Sequence, residues 1–471
     1  MKQLVLASLV LALSGASVGC SKKISVGGGG SEPGAPAAGG EAPAGTPGAP
    51  GQAQSGSATE PGKPTTSSPA GTSTAASPWG SAEADTGRPL PPRKALEGGA
   101  RSNYEQGVKA AHAGDTAGAK SAFEAAVKAD GNAYQALYAL GVMSDREGKE
   151  SQAIDYYRRS LRAQADYEEA AQGIVAIYLR QGQPDKAVAF MQPLADQWER
   201  NLLLQAYYAD LLVQVGRVDD AILVARKALR RDERHVPSML SLIRANLRAG
   251  RVELADSILD QALAVDDKNA ELHYYRGIRY LDDKRLGEAL PEFKKAVDLD
   301  PDFAEARMEL GILLLAGANY SEALTQFQAV EKISPKLVEV QLALGDAYRS
   351  TKQWDKAKAA FDKALRMKSD LPQAHYDLAL MYMAAGAEFP GLDLLTALGK
   401  AKEEFGTYRS MMGSRLARDD ASTGYLDDID KAVAREQKRI EREKKAAERD
   451  AAKKAESAAP AAPAAPAGGS K

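Results

Sequence analysis

The chain has 471 residues, of which 44% are hydrophobic, and a formal net charge of −2. That balance gives no electrostatic case for nucleic acid or an anionic membrane surface, while the apolar content allows a sizeable core in part of the chain. One cysteine, Cys20, excludes an intramolecular disulfide and a cysteine metal cluster, and the four histidines lie far apart in sequence.

The first element is a targeting segment. Lys2 precedes an uncharged apolar run from Leu4 to Leu13, and LSGASVGC then brings small residues up to Cys20. A run of ten residues is too short to cross a bilayer, so it reads as a secretory signal. The segment, residues 1–20, resembles a bacterial lipoprotein signal, although Ser17 stands where leucine is usual. The resemblance implies that Cys20 is acylated and becomes the mature N-terminus. Residues 21–99 are dominated by Gly, Pro, Ala and Ser and cannot bury enough surface to offset chain entropy. They are predicted to be a disordered tether with an r.m.s. reach of about 50 Å.

From Ala100 the character changes. Ala119, Ala153, Ala187, Ala221, Ala255, Ala289, Ala323 and Ala357 recur every 34 residues. Twelve residues before each stand Gly107, Gly141, Val175, Ala209, Ile243, Gly277, Gly311 and Gly345. Four residues after each stand Phe123, Tyr157, Met191, Ala225, Leu259, Phe293, Phe327 and Phe361. Five residues before lie Gly114, Gly148, Gly182, Gly216 and Gly250, then Lys284, Ala318 and Lys352. Eight units thus keep one register over residues 100–371 without an insertion. Two antiparallel helices joined at a left-handed cap satisfy this pattern, with small residues letting the backbones approach.

Period and residue types resemble the tetratricopeptide repeat (TPR). The resemblance implies an all-α, right-handed solenoid of eight regular helix-turn-helix repeats, with a degenerate ninth and cap over 372–412. Repeat three departs from the pattern at Val175 and Pro193. Its second helix is predicted to be kinked or broken near Gln192, loosening the stack between repeats three and four. Residues 413–456 read as a charged helical tail and 457–471 as disordered.

No phosphate-binding loop, HExxH, CxxC or GxSxG motif occurs. His273 and His375, each at the fourth position of a repeat, read as structural residues. The chain is therefore expected to be no enzyme, with no cofactor, metal, nucleic acid or small-molecule substrate. What a solenoid offers is surface. In TPR proteins positions 2, 5, 9 and 12 line a concave groove for a peptide or an amphipathic partner helix. Here those places supply Tyr274, Ile278, Met308, Ile312, Leu342, Tyr376 and Leu380, an apolar strip that Asp210, Arg244 and Asp346 interrupt elsewhere. Position 5 is expected to be the most exposed. An alternative has neighbouring helices burying positions 9 and 12, leaving little of this face exposed.

The combination reads as a protein-binding scaffold held by a lipid on Cys20 at the outer membrane and facing the periplasm. In plan it is similar to the outer-membrane TPR lipoproteins of myxobacterial adventurous gliding motility. Alternatives are a pilotin-like assembly factor for a pilus or secretion pore, and an adaptor for envelope proteases or cell-wall enzymes.

Overall fold

The computed structural model describes residues 88–458, and side chains up to residue 454. The signal, Cys20, most of the tether and the extreme C-terminus lie outside the described residues. Every regular element among the described residues is helical.

The 34-residue register becomes helix pairs of constant length. In repeats two to eight the first helix has 13 residues and the second 14, as in Ala304–Ala316 and Tyr320–Ile333 of repeat seven. Position 15, in the turn between them, has φ between +58° and +88° in all eight repeats. Five repeats meet this with glycine, which carries no Cβ penalty there; Lys284, Ala318 and Lys352 adopt the same strained conformation. The triple variant Lys284→Gly, Ala318→Gly, Lys352→Gly is expected to be more stable by about 0.5–1 kcal/mol per site. A melting temperature at or below that of the parent would refute this assignment of strain. Between repeats, Asp130, Asp232, Asp266 and Asp300 at position 31 each accept a bond from the backbone N–H two residues on, closing the turn.

Within each repeat the small and the large positions are matched. A Cβ added at Gly107, Gly141, Gly277, Gly311 or Gly345 would lie 2.3–2.7 Å from the ring at position 24 of the same repeat. Tyr157 is wedged between Gly141 and Gly173 of the next repeat, so the ring also joins neighbouring units. Where position 8 carries a side chain, the ring is missing: Val175 with Met191, Ala209 with Ala225, Ile243 with Leu259. A side chain at position 8 and a ring at position 24 thus never occur in the same one of these eight repeats. Every position-20 alanine is fully buried at this crossing.

Pro193 does not break its helix. The second helix of repeat three runs from Pro184 to Gln197, the usual 14 residues, and Pro291 is likewise inside Leu286–Leu299. The carbonyls that each proline leaves unpaired belong to exposed residues, Ala189 and Gly287, where water can satisfy them. The stack is not split either, because Met191, Ala195, Leu204 and Leu211 belong to one buried cluster extending from Tyr134 to Leu272. A surface cleft of about 580 Å³, lined by Leu179, Val188, Gln192 and Val215, opens beside this junction.

The ninth repeat is less degenerate than its sequence suggests. A 3-10 turn, Gly386–Glu388, and a short loop separate Pro372–Ala385 from Leu394–Met412. After this insertion the pattern resumes: Ala401 and Phe405 are fully buried, and Phe405 lies 5.5 Å from Tyr376 in the way Phe293 lies 5.9 Å from Tyr274.

Both flanks differ from the expectation of tether and solvated tail. Residues 88–97, read as part of the tether, are seated against repeats two and three. The C-terminal helix, Ala421–Ala458, docks by its first four turns: Tyr425 stacks on Phe405 at 5.6 Å, and Ile429 is buried. From residue 437 to residue 454 it is exposed throughout.

Candidate protein-binding surface

The first helices of consecutive repeats lie side by side, so one repeat position forms a row across the array. The apolar strip predicted on that face is largely interior. Tyr274, Met308, Ile312, Leu342, Tyr376 and Leu380 are only 1–8% exposed. Ile278 alone of the seven is half-buried. Position 5 is thus not the exposed position. Its side chain turns toward the position-24 ring of its own repeat, with Tyr274 also 5.1 Å from Phe303 at the end of repeat six and Tyr376 5.1 Å from Tyr408. In repeats eight and nine the row is further enclosed, since Leu342, Tyr376 and Leu380 share a cluster with Tyr425, Leu426 and Ile429 of the C-terminal helix.

Polar groups on the closed part are paired or displaced in pKa. Asp346 accepts from Arg349 at 3.0 Å, with Asp377 fully buried beside them and bonded to Gln373 at 2.9 Å. Burial pushes both carboxylates up, and the charge of Asp346 pushes Asp377 further. Glu309, at position 6 of repeat seven, is 3% exposed and its Oε2 has no partner among the described residues. Burial raises its pKa to about 7.

The accessible part of the row lies in repeats three to six. Leu179, Tyr207, Tyr275 and Ile278 are half-buried there, and Gln172, Ala176 and Gln214 are exposed. A recess of about 160 Å³ between the first helices of repeats three and four is lined by Gln172, Val175, Leu179, Tyr207 and Asp210. Next to it Arg244 donates to Asp210 at 2.6 Å, to the Tyr275 hydroxyl at 2.9 Å, and to Glu271. Burial alone would lower the Arg244 pKa; Asp210, Tyr275 and Glu271 outweigh it and hold the guanidinium charged. Asp210 and Arg244 are therefore not simple interruptions of an apolar strip. They occupy position 9 of consecutive repeats, so their opposite charges face across adjacent helices. That signal was present in the 34-residue spacing. Tyr207 and Tyr275 occupy position 6, outside the 2, 5, 9, 12 pattern, so that pattern does not mark them.

The two position-4 histidines are structural. His273 bonds Glu292 at 2.6 Å and the Asp267 carbonyl at 2.9 Å, and His375 bonds Glu404 at 2.6 Å. Arg307 and Gln326 form the same link in repeat seven at 2.6 Å. No group of three potential metal ligands occurs among the described residues, and no described helix is long and apolar enough to cross a membrane.

Comparison with known proteins agrees with this geometry. Tetratricopeptide-repeat family matches cover residues 104–168, 176–237 and 240–302, then 280–346, and a TPR-repeat match covers 345–386. Together they span more than half of the chain. No curated protein matches. Among solved structures, the APC/C hetero-tetramer Cut9-Hcn1 is 13% identical, with a TM-score of 0.45, covering 70% of this chain and 76% of that one. YrrB, described as a TPR protein with an unusual peptide-binding site, is 24% identical with a TM-score of 0.31, covering 39% and 95%. PilF of Pseudomonas aeruginosa is 18% identical with a TM-score of 0.38, covering 44% and 90%. At these values the likenesses carry no information about partners. The matched residues, the constant helix pairs and the interlocked positions 8, 20 and 24 together make this chain a member of the tetratricopeptide-repeat family.

Proposed function

We propose that this TPR array, a protein-interaction scaffold by family, is anchored through a lipid on Cys20 at the outer membrane and faces the periplasm. There it receives a peptide or amphipathic helix on the first-helix face of repeats three to six. The anchor reading rests on the sequence, where the only cysteine ends the apolar run. The surface reading rests on one observation: half-buried Leu179, Tyr207, Tyr275 and Ile278 flank a charged cluster on the open part of the row, whereas positions 5 and 9 of repeats seven to nine are all buried. Apolar side chains beside a fixed Asp–Arg–Glu cluster suit a partner with an apolar stripe and a polar edge. Service to an envelope-spanning machine such as the gliding apparatus is the reading that the overall plan favours.

A photo-crosslinking side chain placed at Ile278 in cells tests both parts. Capture of a motility component, a secretin or a hydrolase would identify the machine. Capture from wild type but not from a soluble Cys20→Ala chain is the expected result. Capture only when the crosslinker is moved to the buried position 342, or unchanged fractionation of Cys20→Ala, would sink the corresponding half of the reading.

A further inference from the structure

Ten residues ahead of the first helix, RPLPPRKALE, run along the loops that join repeats two to three and three to four. The Arg88 guanidinium sits 4.8 Å from the Trp198 ring centre, and that of Arg93 lies 5.7 Å from the Tyr167 ring. Arg93 Nη2 donates to both carboxylate oxygens of Glu168 at 2.7 and 2.6 Å. Gln164 Nε2 approaches the Pro91 carbonyl at 3.4 Å.

The receiving loops are built for this and differ from their counterparts. Position 31 is the turn-closing aspartate in repeats one, four, five and six, but Gln164 and Trp198 in repeats two and three, the two residues that meet the segment. Position 1 is acidic in only one of nine repeats, at Glu168. That carboxylate is 5% exposed, takes a further bond from Asn201 at 3.1 Å, and is ion-paired with Arg93. Asn201 also donates to the Asp166 carbonyl at 2.8 Å, and Gln164 to the Asp166 carboxylate at 2.7 Å, which fixes the cradle. A buried carboxylate with an ordered polar surround demands a cation. Two aromatic faces spaced to receive two arginines, with prolines between, select an extended chain that loses little entropy on binding.

We infer that repeats two and three carry a binding site for an extended arginine–proline segment of a partner protein, and that the chain fills this site with its own Arg88–Arg93 as a self-ligand. The site is separate from the first-helix face of repeats three to six and does not depend on the anchor. A tethered occupant acts as a competitor at an effective concentration of order millimolar, so access is graded by displacement.

The probe is a fluorescent peptide of residues 88–94 added in trans to the full chain. Arg88→Ala, Arg93→Ala is expected to bind it at least tenfold more tightly than wild type, and adding Glu168→Gln is expected to remove that gain. Equally weak binding by wild type and the double variant would overturn the proposal, leaving the segment a structural splice. So would tight binding that ignores Glu168→Gln. Unmodified wild type gives a second readout that needs no variant to fold: millimolar peptide should speed hydrogen exchange of the amides from Arg93 to Glu97 severalfold. No change in exchange would count against the site. A wild-type dimer that Arg93→Ala dissociates would also overturn it, by assigning the segment to a second copy of the chain.

Discussion

Gly311→Val is expected to destabilise repeat seven by about 2–3 kcal/mol, and adding Phe327→Met is expected to recover most of that loss. A Cβ at Gly311 would lie 2.5 Å from the Phe327 ring, and the ring has no flexible end to move aside. The helix-propensity gain from replacing glycine, about 0.5–1 kcal/mol, is too small to offset the clash. Phe327→Met alone should cost about 1–3 kcal/mol by leaving a void at a fully buried position. Together the two changes transplant the Val175 and Met191 pair that repeat three already uses. Non-additivity of about 2 kcal/mol in the double-mutant cycle is the signature of a shared volume. Urea midpoints, with hydrogen exchange over Ala304–Ile333, supply the measurement, since solenoid stability is a sum of repeat and interface terms. A double variant no more stable than Gly311→Val would show that the matched sizes are coincidental.

Glu309→Ala is expected to stabilise the protein in a pH-dependent way. The folded-state pKa of Glu309 is raised by burial to about 7 from an ordinary value of 4.5. Below pH 4.5 the group is protonated in both states and no linkage penalty arises. Between the two values the folded chain holds a proton that the unfolded chain has released, so stability falls as pH rises. Above pH 7 the penalty is complete, at about 3 kcal/mol from a shift of this size. Alanine already occupies the equivalent position 6 in repeat eight, as Ala343. The advantage of the variant over wild type should therefore be small or negative at pH 4.5, grow toward pH 7 and then level off. Melting temperatures of the two proteins across that range decide it. A constant difference would mean that Glu309 keeps an ordinary pKa in the fold.

In the closed half of the first-helix row, position on a helical face and exposure to solvent part company. Tyr274 and Met308 look like groove residues because their positions lie on the same helical face as residues that line grooves elsewhere in the family. Whether that face is wet depends on how far neighbouring repeats lean over it, and no single repeat encodes this. The same holds for Tyr376, whose enclosure needs Tyr408 from its own second helix and Tyr425 from the docked C-terminal helix. Residues 88–97 illustrate the reverse error. Their composition gives no core of their own, yet two arginines find aromatic and acidic partners about 75 and 110 positions away.

The sequence by itself determined the periodic framework: the 34-residue unit, the helix pair, the left-handed turn at position 15 and the small–large crossing of positions 8, 20 and 24. These are local or one repeat apart, so steric rules acting between near neighbours write them directly into residue types. Tertiary structure alone decided which faces are open, that Pro193 is tolerated, that Glu271 joins the Asp210–Arg244 pair, and that the residues ahead of the first helix dock on Glu168 and Trp198. Each of these depends on the summed stacking of several repeats or on segments distant in the chain. Exposure and long-range charge pairing are properties of the assembled array, and a single repeat does not contain them.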